Sequence, residues 1–325
     1  TRFSNLRKVP EPQYFNLRRR QGGVKALRIF LMAVLILVVF GSLEGVEADQ
    51  EPIWESLTTG EVRSMTTSSD GRYIVVGTGS SKPGSNTAYY PQILFFEKNS
   101  SIPIWSKTTK GIVKDVDISA DGEYIAAVTS GYWSEDEANE TYEARGGHVY
   151  LFRKSSNIPI IDYTVENGRG VWSVAISEDG EYIAAITHYS PLLSHNTYES
   201  ILYFFRQNNS EPIWNFTSDY SFHNVDMSAD GNYIVAGDWN NTIYFFTKDN
   251  NTPLWNNTIG ECPWRSSQDD PWQSGNCRLR VSISENGEYI VAGSTNGGWE
   301  QGTSPIIYLF GKNNNTPIWN REVEG

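Results

Sequence analysis

One heptapeptide pattern recurs five times along this chain and limits what it can fold into. Ser68-Ser69-Asp70-Gly71-Arg72-Tyr73-Ile74 returns as Ser119-Ala120-Asp121-Gly122-Glu123-Tyr124-Ile125, and again at 177–183, 228–234 and 284–290. Its tyrosines, Tyr73, Tyr124, Tyr182, Tyr233 and Tyr289, are 51 to 58 residues apart. An apolar element follows each copy, such as Ile93-Leu94-Phe95-Phe96 or Ile243-Tyr244-Phe245-Phe246. A third element starts seven residues after the second ends, as in Pro103-Ile104-Trp105, Pro212-Ile213-Trp214 and Pro317-Ile318-Trp319. Three elements in fixed order at a near-fixed period mark a repeat architecture, in which no unit covers its own apolar faces.

Each unit reads as four strands. Val113 to Ser119 alternates apolar and polar side chains, the period of a half-buried strand. Ala120-Asp121-Gly122-Glu123 is a hairpin turn, because Asp-Gly supplies the positive φ that short hairpins need. Tyr124 to Val128 is the second strand, Val149 to Phe152 the third and Ile160 to Val165 the fourth. No helical periodicity appears after residue 48. The expected fold is all-β: a β-propeller of four-stranded antiparallel blades with five complete repeats, preceded by one N-terminal apolar helix. The blades are expected over about 58–107, 110–166, 168–217, 219–258 and 278–323. The fourth-strand tryptophans and third-strand aromatics read as packing between blades rather than as ligand contacts.

The Ser-x-Asp-Gly-x-Tyr-Ile hairpin resembles the WD40-like repeats of TolB-type propellers. The Lys-x-x-x-x-Pro-Ile-Trp turn is similar to the tryptophan-docking turn of quinoprotein (PQQ-binding-like) propeller repeats. The resemblance covers residues 51–325 and implies a propeller. It implies no particular activity. The Trp-Asp dipeptide of true WD40 repeats is absent, Gly-His occurs once, at Gly147-His148, rather than in each repeat, and Cys262 and Cys277 are not the adjacent pair of many quinoprotein alcohol dehydrogenases. No PQQ or calcium constellation carries over, so no cofactor is expected.

Pro52-Ile53-Trp54 is a sixth copy of the fourth-strand motif, placed before the first complete unit. Two expectations follow. Either the repeats seen are part of a ring of seven or eight blades, or five blades close with a spare N-terminal strand.

Ile29 to Phe40 is an unbroken apolar run, short of the ~20 residues that span a bilayer comfortably. Lys25 and Arg28 precede it, and Val46-Glu47-Ala48 follows with compact residues for a cut before Asp49. Residues 27–48 are therefore expected to be an export signal or a membrane anchor spanning 29–43, behind a basic stretch at 1–26 that is either a native tail or translated upstream sequence. Arg18-Arg19-Arg20 would hold a retained N-terminus inside. The chain beyond residue 48 has 18 basic and 35 acidic residues, a net −17. Phosphate binding needs a basic face, so nucleic acid is excluded as an expected partner.

The second-to-third-strand loops, at roughly 79–92, 130–147, 188–200, 238–242 and 294–306, vary most in length. Long loops on a rigid scaffold commonly carry function. Tyr132, Trp133, Tyr189, Trp239 and Trp299 from these loops, with Trp264 and Trp272 from 259–278, are the candidate ligand contacts. A ring beside Asn, Asp and Gln suits a sugar or peptide face. The alternative is that these rings pack under their own loops. Cys262 and Cys277 bracket the 259–278 loop, and in an exported protein a disulfide between them is expected. Closure of so small a loop is worth about 3 kcal/mol.

Asn99, Asn139, Asn208, Asn215, Asn240 and Asn256 are candidate N-glycosylation sites. Asn250 and Asn314 also head sequons, but Pro follows their threonines. Ionisable chemistry is sparse. His188 and His195 share a loop, and Glu135-Asp136-Glu137 is an acidic run read as a solvated loop, so no metal is expected. Asp117 and Asp226 hold equivalent first-strand positions and are the best catalytic candidates, with repeat equivalence as the plainer explanation. The expected role is a non-catalytic extracellular binding or assembly scaffold for a protein or glycan at the cell surface. A propeller enzyme, quinoprotein-like or glycan-active, and a membrane-anchored sensor ectodomain are the alternatives.

Overall fold

The computed structural model describes residues 17–18, 52–58, 60–79, 91–136, 141–166, 169–188, 199–260, 278–295 and 305–323. They form five consecutive four-stranded antiparallel sheets in a propeller-like series, and among them there is no helix. The first sheet holds β2 (Glu61–Thr67), β3 (Tyr73–Gly79), β4 (Gln92–Glu97) and β5 (Trp105–Thr108), with β1 (Leu17–Arg18) parallel to β2 at its edge. The second holds β6 (Val113–Ile118), β7 (Tyr124–Thr129), β10 (His148–Arg153) and β11 (Ile161–Thr164). The third holds β12 (Gly170–Ile176), β13 (Tyr182–His188), β14 (Ser200–Arg206) and β15 (Trp214–Ser218). The fourth holds β16 (Phe222–Met227), β17 (Tyr233–Asp238), β18 (Thr242–Thr247) and β19 (Trp255–Thr258). The fifth holds β20 (Arg278–Ile283), β21 (Tyr289–Thr295), β22 (Ile306–Gly311) and β23 (Pro317–Glu322).

One expectation needs correction. The segment 130–147 is not an irregular loop: β8 (Tyr132–Asp136) pairs with β9 (Thr141–Arg145) as a separate antiparallel hairpin. Tyr132, Trp133, Thr141 and Tyr142 are strong strand formers, so the segment satisfies its own backbone. Glu135 and Asp136 therefore lie on a strand. The apolar helix expected at 27–48 lies outside the described residues.

The turn of the repeat is built identically in every unit. Ser68 Oγ donates to Asp70 and accepts from the Tyr73 amide, while Asp70 also accepts from the Arg72 amide. Ser119, Ser177 and Ser228 repeat this with their own aspartates, and Ser284 does so with Asn286. Accepting these donors holds the carboxyls of Asp70 and Asp230 below the usual range, in Asp230 against the opposing pull of burial.

Apolar faces meet between sheets. Tyr73, Val75, Ile93 and Phe95 pack on Val116, Ile118, Ile125 and Phe152. Equivalent clusters fill the next three gaps. Three further contacts recur at these interfaces. The indole N–H of Trp105 donates to the Lys154 carbonyl of the next sheet (2.9 Å), as do Trp214 to Lys248 (2.9 Å) and Trp255 to Lys312 (3.0 Å). Each indole sits between a phenylalanine of its own sheet and one of the next, for example Phe204 and Phe246 around Trp214. The tyrosine of one hairpin lies against the glycine of the next: a methyl built on Gly122, Gly180, Gly231 or Gly287 would fall 2.3–2.6 Å from the facing tyrosine ring. Finally, amides donate along the series from Ser69 to Ala120, Ala120 to Glu178, Glu178 to Ala229 and Ala229 to Glu285.

The first strands are joined by side chains. Asp117 accepts from its neighbour's Ile176 amide (3.0 Å) and from the Ile118 amide (3.0 Å). Asp226 accepts from Ser282 Oγ (2.7 Å) and the Ile283 and Met227 amides. Asp115 links Ser64 to Ser173, and Asn224 makes a two-bond pair with Val281. The carboxylates singled out for catalysis thus act as fasteners between sheets.

The tryptophan row sets a stability gradient. Trp214→Ala, which empties a filled inter-sheet site, is expected to cost about 3 kcal/mol or more. Trp319→Ala, at an indole 46% exposed, is expected to cost under about 1 kcal/mol. Thermal unfolding of the two variants under one buffer checks the order, and equal losses would contradict it.

Candidate ligand-binding rim

Four successive first strands carry a bulge at the same place. Register slips between Val62 and Ser64, Val113 and Asp115, Val171 and Ser173, and Phe222 and Asn224. A bulge leaves one residue outside the ladder and re-aims its side chain. The four residues so placed are Arg63, Lys114, Trp172 and His223. Each lies exactly three positions before Thr66, Asp117, Ala175 and Asp226, so the repeat register contained the signal. The fifth strand pairs without a slip. All four bulges lie at the strand ends that face the second-to-third-strand connections.

Two further aromatic groups join this row. His188, the last residue of β13, stacks on Trp172 with centroids 4.5 Å apart and planes at 24°. Trp239, just past β17, meets His188 edge-on with centroids 4.7 Å apart. Lys114 Nζ lies 4.4 Å from the centre of the Trp172 ring, a cation–π contact. Burial, and secondarily the charge of Arg63, lowers the Lys114 pKa from its ordinary value. Arg63 is paired with Glu61 at 2.7 Å. The row runs Arg63, Lys114, Trp172, His188, Trp239: cations at one end, stacked rings at the other, with Trp172 39% exposed.

Trp239 is held by the turn beneath it. Asp238 accepts from the Asn240 and Thr242 amides (both 2.9 Å), from Tyr244 Oη (3.1 Å) and from Ser218 Oγ (3.2 Å). The Trp239 amide donates to the Ser221 carbonyl at 2.9 Å. Asn241 follows with φ of 59°, one of the few conformations Asn tolerates better than other side chains. Burial pushes Asp238 up to about 6 despite these donors, and burial beside Asp238 pushes Tyr244 up to about 12.

Of the sequence-predicted contacts, Trp239 takes part in this row. Tyr132 and Trp133 lie on β8, whose side chains are outside the described residues. Tyr189, Trp264, Trp272, Trp299, Cys262 and Cys277 are also outside the described residues, as is Asn139. Asn99, Asn208, Asn215 and Asn256 are exposed, and Asn240 is half-buried with its amide near Thr242. Among the described residues no three His, Cys, Asp or Glu side chains gather as a metal site.

Residues 211–247 match the family described as WD domain, G-beta repeat. The match starts on the turn leading into β15 and ends with β18, so it crosses from the third sheet into the fourth. No curated protein matches the chain. A similar solved structure is the Myceliophteria thermophila Cps50 (Swd1) beta-propeller domain, 12% identical, covering 80% of this chain and 73% of that one, with a TM-score of 0.46.

Asp238 makes folding pH-dependent. Its folded-state pKa lies above the ordinary carboxylate value, so the native state favours the protonated form. Its contribution to stability is fully present below about pH 4, is lost as pH rises through about 6 and changes no further above that, by up to about 3 kcal/mol. Asp238→Asn is expected to flatten the pH 4–6 slope of the thermal midpoint. An unchanged slope would assign it to another group.

Proposed function

We propose that this protein is a non-catalytic interaction scaffold that binds a partner protein across the rim formed by Arg63, Lys114, Trp172, His188 and Trp239. The repeated bulge carries the reading. It places the extra residue of four strands outside the apolar clusters between sheets, at the same end of each strand. Burial disfavours the charged form of Lys114, and an arriving carboxylate would favour it. The Trp172 and Trp239 rings offer an apolar platform beside that charge. The partner chemistry is a peptide segment with an acidic side chain next to an aromatic or aliphatic one. A propeller-like series of sheets with a WD-type repeat is in keeping with a scaffold for protein contacts. Use of Asp117 and Asp226 as fasteners removes the best catalytic candidates.

The setting belongs to the same proposal. We infer that the scaffold works outside the cell, at the cell surface, on two sequence grounds: the apolar run Ile29 to Phe40 with its basic flank, and the sequons at exposed Asn99, Asn208, Asn215 and Asn256. N-terminal sequencing and a mass shift on enzymatic deglycosylation of natively produced protein test that part.

Selection from a random peptide phage library tests the binding face. Enriched peptides are expected to pair Asp or Glu with an apolar residue. Trp172→Ala or Lys114→Glu is expected to weaken them about tenfold or more, while Ile104→Ala leaves them unchanged. Enrichment indifferent to both rim variants would remove the reading. Rim-dependent binding to a glycan array instead would move the ligand class to sugars.

A further inference from the structure

A titratable ring stands in the middle of the rim row. Repeat register places His188 where the other units have Gly79, Ser130, Trp239 and Thr295. The third and fourth units put a ring at this position, and their sheets are neighbours, which is why His188 and Trp239 meet. The Trp172 indole stacks on the same imidazole at 4.5 Å. Stacking alone does not select histidine, because phenylalanine or tyrosine in the same slot would bury more apolar area. What the imidazole adds is a charge that changes between about pH 5 and 8.

His188 is half-buried, so solvent reaches it. The charged and titratable groups on the elements around it are Lys114 on β6, Arg63 on β2 with its partner Glu61, His223 on β16, Asp238 at the end of β17, and Arg169 ahead of β12 with its partner Glu199. Lys114 Nζ lies 4.4 Å from the centre of the Trp172 ring on which His188 stacks. An imidazolium there gains a cation–π contact but stands near a second cation, so a carboxylate arriving at the rim favours it further. Asp238, which burial pushes up to about 6, loses its negative charge over the same range. Both changes make the rim more positive as pH falls. Peptide carboxylates ordinarily titrate near about 4, so an acidic ligand keeps its charge through that window.

We propose that the rim is a proton-gated receptor: protonation of His188, in contact with both the Trp172 and Trp239 rings, turns it from a weak into a tight binder of an acidic peptide segment. The proposal rests on the rim being the binding face. By linkage the bound carboxylate favours the imidazolium in return, so binding near neutrality takes up a proton.

A peptide enriched from the phage library at pH 5.5, carrying Asp or Glu beside an apolar residue, is the probe. Its affinity for the full chain is measured by calorimetry at pH 5.5 and 7.5. Wild type is expected to bind about tenfold or more tighter at pH 5.5. His188→Gln is expected to bind weakly and equally at both. Asp238→Asn is expected to keep the pH dependence. Thermal melts at both pH values establish that the variants remain folded. A probe with its acidic residues changed to amides tests the same linkage on the unaltered protein, and is expected to bind equally at both pH values. Equal wild-type affinity at the two pH values, a pH dependence that persists in His188→Gln or with the amide probe, or one abolished by Asp238→Asn overturns the gate while leaving the rim reading in place. Binding unmoved by Trp172→Ala at both pH values removes the rim reading and the gate with it.

Discussion

The indole N–H that crosses from one sheet to a backbone carbonyl of the next sets three of the four junctions in the series. A four-stranded sheet of this size has two apolar faces and cannot bury both alone. Apolar contact is non-directional and would let neighbouring sheets slide. The bond from Trp105, Trp214 or Trp255 to a lysine carbonyl fixes the slide at one point. The tyrosine against the hairpin glycine fixes it at a second, because only a glycine admits the ring at that distance. The amide from Ala120 to Glu178, and its equivalents, fixes a third. Three points define a plane, so each sheet is placed on the last without needing any long-range order. The second sheet has Ile161 where others have tryptophan, and there burial and the remaining two contacts suffice.

Fixing the outer strands leaves the inner ones to be fastened separately. Their polar positions face neighbouring first strands, where an unpaired backbone amide would be costly. Asp115, Asp117, Asn224 and Asp226 answer this by accepting or exchanging bonds with the next strand's backbone and serines. A carboxylate that receives amides on both oxygens is occupied, and its equivalence across the repeat reflects an equivalent neighbour. Just above these fasteners the strand bulges, and the displaced residue is released from both jobs. That is why the bulge positions vary so widely in chemistry, from Arg63 and Lys114 to Trp172 and His223, while the positions below them stay small or acidic.

The repeat, its strands and the role of its tryptophans were legible in the sequence because they are local and recur: Asp-Gly turns, alternating strands and a Trp at one offset. The rim was only partly legible. Trp239 stood out as a ring in a short loop, but Trp172 and Lys114 lie inside strands where alternation predicts ladder positions. A bulge adds a residue without changing composition, so no propensity announces it. Alignment of the units would have shown it, since Arg63, Lys114, Trp172 and His223 share one offset. The hairpin at Tyr132–Asp136 was missed for a related reason: it belongs to no repeat element, and only its strand-forming residues hint at it.

Asp238 shows how the repeat is departed from locally to serve the rim. The positions equivalent to Asp238 in the other units are the neutral residues Thr78, Thr129, Thr187 and Ser294. Here a buried carboxyl gathers two amides and two hydroxyls, which closes the connection to Thr242 in a few residues. Burial raises the carboxyl's pKa despite these donors, so the buried carboxylate costs stability near neutrality. A neutral residue would avoid that cost but could not hold Asn240, Thr242, Tyr244 and Ser218 at once. The short turn keeps Trp239 beside His188 rather than free in a long loop, which is the condition for stacked rings to present a fixed face. A stability cost accepted at the connection that carries Trp239 fits the proposed binding role better than packing alone.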